Sequence, residues 1–211
     1  MIKQGTDEWK IMRLGKATAS RIPDVVAETK SGPAASRATY MGELIAERLT
    51  GTWSDKFTSA AMQHGTDFED EARKAHAFYA GVEILQVPFV DHPKILMSGA
   101  SPDGLIAGLA GGVEIKCPNT STHIEYMLSG VIPKKYIIQM MWQAACCDLQ
   151  WVDFVSYDPR LPEEMRYWTK RVHRDDEMIA DLEAKVQAFL NEIDEKIAAL
   201  RAYTTKISEA A

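Results

Sequence analysis

The stretch SPDGLIAGLAGGVEIKCP, residues 101–118, holds two carboxylates and an ammonium at a spacing that lets them meet: Asp103, Glu114 and Lys116. Side chains alternate faces along a strand, so Glu114 and Lys116 point one way and Ile115 the other. Gly108, Ala110, Gly111 and Gly112 suit a tight reversal between strands at Leu105–Ala107 and Val113–Cys117, and the resulting hairpin returns Asp103 to the end of the second strand. Carboxylates are hard oxygen ligands for Mg2+ or Mn2+. Two such ions about 4 Å apart activate a water and stabilise the leaving oxygen of a phosphodiester. Lys116 beside that water would orient it, help deprotonate it and neutralise charge on the phosphate. The main-chain carbonyl of Ile115 lies between the two side chains and is placed to complete a metal shell. Pro-Asp-Gly is also an ordinary turn tripeptide, and Glu-x-Lys on one strand face an ordinary solvated ion pair. The pattern by itself leaves both readings open.

The elements that must carry these residues follow from pattern. Residues 6–13 read as a short helix opened by Thr6 or Asp7, and a second helix is predicted from Thr18–Ser20. The segment 27–35 reads as a flexible loop. Tyr40, Leu44, Ile45 and Leu49 recur at helical spacing over 36–49, with Gly51 as a stop. Another helix is predicted over 59–80, striped by Phe68, Ala72, Ala75 and Tyr79. Strand-like material fills 82–90 and 95–99. Pro133 opens a helix to Cys147 that is apolar nearly all round, and on it Gln139 and Gln143 lie four apart. Buried amides need partners, so that face is expected to look into a polar site, although a core polar network accounts equally for Gln143. Strands at 151–157 and 165–173 flank a turn with Asp158-Pro159-Arg160, and a long helix spans 175–203. Helices on a mixed sheet, with no repeat or linker, make residues 1–211 one α/β domain.

Composition narrows the class. The chain has 211 residues, 46% hydrophobic and 26% charged, enough for one packed domain. No apolar run reaches the ~20 residues of a membrane span, and MIKQGTDEWK lacks a signal-peptide core. Three cysteines, two of them adjacent, fit neither a disulfide framework nor a zinc motif, and cannot supply the four thiolates of an iron–sulfur cluster. A reducing cytoplasm is the expected location. A net charge of −6 argues mildly against nucleic-acid binding, but Lys10, Arg13, Lys16 and Arg21 gather near the N-terminus, and local fields decide where a polyanion goes.

The flanking residues add a likeness. SPDGL and EIKCP, with ten residues between Asp103 and Glu114, resemble the PD-(D/E)xK nuclease core. More narrowly, they resemble the bacteriophage lambda exonuclease (YqaJ-type) family of viral recombination exonucleases. WKIMRLGKATAS at 9–20, HGTDFEDEA at 64–72, YIIQ at 136–139 and SYDPR at 156–160 continue the match in consistent order. The resemblance implies a central mixed sheet flanked by helices, with Asp103 and Glu114 as metal ligands and Lys116 as the catalytic lysine. It also implies Glu69 as an additional acid reaching the metal from a helix, and Gln139 beside the active site. Arg13, Ser20 and Ser101 match a pocket for a 5′-terminal phosphate; Arg offers a bidentate fork, and Ser20 near a helix start adds a hydroxyl. Lys30 sits where the family has a basic residue touching DNA ahead of the site. Trp9 and Trp142 read as core. The implied activity is Mg2+-dependent digestion (Mn2+ substituting) of the 5′-ended strand of linear double-stranded DNA, leaving 3′ overhangs. Implied with it are a homotrimeric ring around the DNA, a single-strand annealing partner protein, and a phage or prophage origin in a bacterial host. The alternatives are a restriction-type endonuclease on the same core and a non-catalytic DNA-end binding protein.

Overall fold

Thr6 opens the first element of the computed structural model, which describes residues 2–30, 32–53 and 60–210. Its hydroxyl accepts from the Trp9 N–H and caps helix α1 (Asp7–Arg13). The helix predicted from Thr18–Ser20 is instead three short pieces. Strand β1 (Ala17–Thr18) is followed by a single 3-10 turn, Ala19–Arg21, and then by helix α2 (Ile22–Val25). Pro23 near the start of α2 explains the late onset, since it cannot supply an N–H inside a helix. The expected loop at 27–35 contains a two-stranded hairpin, β2 (Glu28–Thr29) and β3 (Gly32–Pro33).

Helix α3 (Ala35–Thr50) buries Tyr40, Met41, Leu44 and Glu47 and ends on Gly51 with φ 66, a left-handed cap that favours glycine. Helix α4 (Ala60–Ala80) follows; the expected start at Ser59 lies outside the described residues. The region 82–100 contributes only short strands: β4 (Ile84–Leu85), β5 (Val90–Asp91) and β6 (Ser98–Ala100). Strands β7 (Gly104–Ile106) and β8 (Gly111–Lys116) make the expected hairpin, with Gly104 opposite Val113. Of its loop glycines only Gly108 has positive φ, 71°. Gly111 and Gly112 serve close packing instead: a Cβ would stand 2.6 Å from the Trp151 ring at Gly111 and 2.6 Å from Leu149 at Gly112.

Helix α5 (Thr120–Ser129) is an element that the sequence pattern did not announce. Helix α6 (Lys134–Cys147) is buried from Ile138 to Cys146. Strands β9 (Trp151–Tyr157) and β10 (Tyr167–His173) then lead into helix α7 (Asp176–Ala210), longer than predicted.

The main sheet has the order β10-β9-β8-β7-β4, and a smaller one the order β1-β6-β5. All neighbours in the main sheet are antiparallel except β8 and β9, which run parallel with Lys116 opposite Ser156. A parallel pair requires a crossover, which α5 and α6 supply. The larger core lies on the α6 side and holds Trp142, Phe154, Phe189 and Ile193, all fully buried. Burial of such side chains contributes about 1.5–3 kcal/mol each. The smaller core joins Ala72 of α4 to Val113, Ile115 and Val155 on the opposite sheet face. Strand alternation therefore turns Ile115 toward α4, and Glu114 and Lys116 toward α6. Trp142 is core as expected, stacked on His92 at 4.7 Å. The three cysteines are free. Among the described residues no helix is long and apolar enough to cross a membrane.

Candidate active site

Glu114 is completely buried, and its carboxylate is held from three directions. Oε1 accepts from Gln139 Nε2 at 2.8 Å and pairs with the Lys116 ammonium; Oε2 accepts from Gln143 Nε2 at 2.6 Å. Tyr136, Gln139 and Gln143 stand at helical steps of three and four, so one face of α6 meets one face of β8. The Tyr136 ring centroid lies 5.3 Å from the Lys116 ammonium. The amide pair on an apolar helix was the legible signal of a polar site. Gln143, equally readable as core, belongs to that site.

The second amide has an unusual environment. Gln143 is fully buried, and its Oε1 has no hydrogen-bond partner among the described residues. Gln143→Leu is expected to lower the unfolding free energy by about 1–3 kcal/mol, because it strips a buried carboxylate oxygen of a donor. Gln143→Glu should cost more, since it sets two carboxylates face to face. Urea denaturation of both variants gives the order, and equal stability of all three proteins would refute the clamp.

Asp103 precedes β7 and reaches across the hairpin, where its Oδ2 accepts from the Ile115 N–H at 2.6 Å. Burial pushes its carboxyl well above the ordinary carboxylate range, and the nearby charges of Glu114 and Glu69 push the same way, against Lys116 and the Ile115 N–H. Burial works against the Lys116 ammonium too. Glu114 and Asp103 outweigh that and hold it above its ordinary value. The ammonium is thereby kept in its charged form beside the two carboxylates.

Glu69 sits on α4, the helix covering the other sheet face, and reaches the site only around its edge. Its carboxylate meets Arg73 Nη2 at 2.5 Å, while Arg73 Nε donates to the Asp103 carbonyl at 3.0 Å and Nη1 to Asp70 at 3.2 Å. Arg73, missed in the sequence, thus ties Glu69 to the backbone of Asp103. The signal was a basic residue one helical turn after Glu69. A cavity of about 620 Å³ opens beside this cluster, lined by Trp9, Glu69 and Arg73 among others.

The phosphate-pocket candidates are only partly together. Trp9 joins two of them: its indole Nε1 donates to Ser101 Oγ at 2.9 Å, and the Arg13 guanidinium lies 4.0 Å from its ring centroid. Trp9 is half-buried, a bracket rather than core. Burial lowers Arg13 to about 10. Its Nε has no hydrogen-bond partner among the described residues, and its Nη2 donates weakly to Thr18 Oγ1 at 3.4 Å. Ser20 is exposed inside the 3-10 turn that leads directly into α2, and the residue at that turn's cap position, Thr18, makes no side-chain cap bond. Lys30 is exposed at the β2–β3 turn.

The donor set suits a divalent cation. Two carboxylates, Asp103 and Glu114, share one ammonium in a buried place, where burial first and the neighbouring acids second raise the Asp103 carboxyl, an environment that a cation would relieve. Among the described residues no three His, Cys, Asp or Glu side chains converge as a ready-made metal cluster, because Glu69 is turned to Arg73.

Residues 8–150 match the model of a family described as the YqaJ-like viral recombinase domain. Among solved structures, an alkaline exonuclease from Laribacter hongkongensis is 49% identical, over 96% of this chain and 100% of that chain, with a TM-score of 0.89. The same enzyme in complex with dAMP matches at 49% identity, over 96% of this chain and 100% of that one, with a TM-score of 0.89. A phage-related exonuclease from Haemophilus somnus 129PT is 17% identical over 88% of this chain and 96% of that chain, with a TM-score of 0.68, a likeness of fold. No curated protein matches the chain.

Proposed function

The chain belongs to the YqaJ-like viral recombinase family, and from this we propose that it is a DNA nuclease, an Mg2+-dependent exonuclease that degrades the 5′-ended strand of linear duplexes. The observation that carries the reading is the grip on Glu114 by Gln139, Gln143 and Lys116, with Asp103 across the hairpin. The alkaline exonuclease relative, and its complex with dAMP, support a reaction that releases nucleoside monophosphates.

Asp103, Glu114 and the Ile115 carbonyl would hold the metal. When bound, Mg2+ supplies Lewis-acid charge and a water of lowered pKa. The chain's own groups do the rest. Gln139 and Gln143 fix the Glu114 carboxylate so that it does not reorganise during reaction. Lys116 brings positive charge to the phosphate oxygen where negative charge gathers. Arg13, buried against Trp9 with an Nε that has no hydrogen-bond partner among the described residues, would take the terminal 5′-phosphate by a charge-assisted bond, with Ser101 alongside and Ser20 reaching in from the adjacent turn. A homotrimeric ring, an annealing protein that coats the exposed strand, Mn2+ as substitute metal, and a cytoplasmic place in a phage-infected bacterium complete the proposal.

A linear duplex with labelled 5′-phosphates tests it beside a closed circle, with Mg2+ and with chelator. Label should appear as mononucleotide from the first turnovers in Mg2+ alone, and the circle should survive. Nicking of the circle, or release beginning at 3′ ends, would refute the exonuclease polarity. Arg13→Ala should lose about tenfold or more on 5′-phosphorylated ends and little on 5′-hydroxyl ends, since a charge-assisted pair contributes about 1.5–3 kcal/mol. Equal losses on both ends would remove Arg13 from the pocket.

A further inference from the structure

The Tyr136 ring has a second ammonium against it. Lys116 lies 5.3 Å from its centroid, and Lys135, the next residue on α6, lies 4.8 Å from it. Positive charge therefore continues past the catalytic lysine, across one aromatic ring, to an exposed side chain. Lys134 is exposed beside it. Neither lysine has a carboxylate within ion-pair distance among the described residues, although most basic side chains here are paired.

Stability does not explain the pair. Cations in the first turn of a helix oppose its dipole, at about 0.3–1 kcal/mol each, and α6 begins with Lys134 and Lys135 under a Pro133 that makes no side-chain cap bond. Both lysines line an open groove of about 560 Å³ together with Pro23, Val26 and Ile138. The other basic residue of that groove, Lys185, is closed on Asp181 at 2.7 Å. Among the described residues Lys134 and Lys135 are the basic residues of that groove without an ion pair, and Glu28 is an exposed acid on the same lining.

We propose that Lys135, with Lys134, forms a ledge for the DNA backbone, binding the phosphate that follows the scissile one on the digested strand. This rests on the nuclease reading above. If the 5′ end is anchored at Arg13 and the scissile phosphate lies at Lys116, the strand leaves over Tyr136 and meets Lys135 next. The ring is the spacer: it separates the two ammoniums by no more than the two distances above end to end, within reach of neighbouring phosphates of one strand. A cation–π contact of this kind holds the Lys135 head in place while leaving its N–H donors free for the strand.

The test is binding of a linear duplex to the full chain in EDTA, by fluorescence anisotropy across a series of salt concentrations. Lys135→Gln should weaken binding about three- to tenfold near 0.1 M salt and reduce the slope of log K against log salt by about one. Lys135→Arg should restore both. Lys94→Gln, which removes an equal charge from a lysine near Glu183, should leave the slope unchanged. An unaltered slope in Lys135→Gln, or an equal fall in Lys94→Gln, would overturn the ledge. Both variants are exposed substitutions and should fold normally. Digestion in Mg2+ separates the two proposals: Lys135→Gln should raise KM with kcat within about twofold, whereas a parent protein that binds duplex yet never cleaves it would sink the nuclease reading alone.

Discussion

Asp103→Asn is expected to yield a protein that no longer cleaves DNA and withstands heat better than its parent. On the proposed reading Asp103 holds the metal, and removing such a ligand forfeits several kcal/mol of transition-state stabilisation, so the rate should fall about 10³-fold or more. The gain in stability has a separate origin. Burial, Glu114 and Glu69 all oppose the ionised Asp103 carboxylate, and an amide escapes that opposition while its oxygen still accepts the Ile115 N–H. The sign follows from linkage. A carboxyl whose folded value is raised favours the folded state below its unfolded value of about 3.9 and loses that advantage as pH rises through its folded value. The variant should therefore match the parent below about pH 4 and exceed it at neutral pH, each kcal/mol moving Tm by about 2–4 °C. Thermal melts in EDTA across that range decide it. A lower Tm at neutral pH would mean that Asp103 is not under electrostatic load.

Lys116→Met should also be severely impaired, yet shift stability the other way. A positioned cation facing developing phosphate charge contributes about 10²–10³ in rate, and single-turnover cleavage should fall by about that factor. The same ammonium is the cation that offsets both Glu114 and Asp103. Its loss leaves one carboxylate fully buried on two amides and pushes the other still higher, so the unfolding free energy should fall by about 1–3 kcal/mol. Combining the two substitutions tests whether they act on one charge balance: the double variant should recover most of the Tm lost by Lys116→Met, a coupling expected only of groups in contact. Cleavage by Lys116→Met within tenfold of the parent would end its catalytic assignment.

These side chains were legible because strand alternation needs no tertiary knowledge. Glu-x-Lys on a strand shares a face wherever the strand lies, and Asp103 follows once the hairpin closes. The two glutamines of α6 were legible as amides out of place on an apolar helix. Other features depend on distant packing. Glu69 stood out only by resemblance, and no local pattern shows its carboxylate turned to Arg73. Thr18 looked like a helix start because Thr18, Ser20 and the apolar residues after them suit one, but pairing with Ser98 and Gly99 holds Ala17 and Thr18 in a strand, and the helical turn begins just after them. Helix α5 was missed because its buried face is His123 and Tyr126, not an aliphatic stripe. His123 answers to Ser156 and the Met165 carbonyl, 2.7 and 2.9 Å away and far along the chain. Asn119, capping the Thr122 N–H, and Gly130, ending the helix in the left-handed region, were its readable boundaries.

The one parallel pairing in the main sheet also sets an order of events during folding. The hairpins β7–β8 and β9–β10 close over short loops and are expected to form first. Bringing β9 beside β8 must wait for the whole of α5 and α6, since loop-closure entropy is overcome before the distant contacts form. On a chain leaving the ribosome, the acids and the lysine exist side by side before the amides that lock Glu114 arrive. A partly made polypeptide carries the ingredients of a DNA-cutting centre without its geometry, and competence arrives only when the crossover is complete.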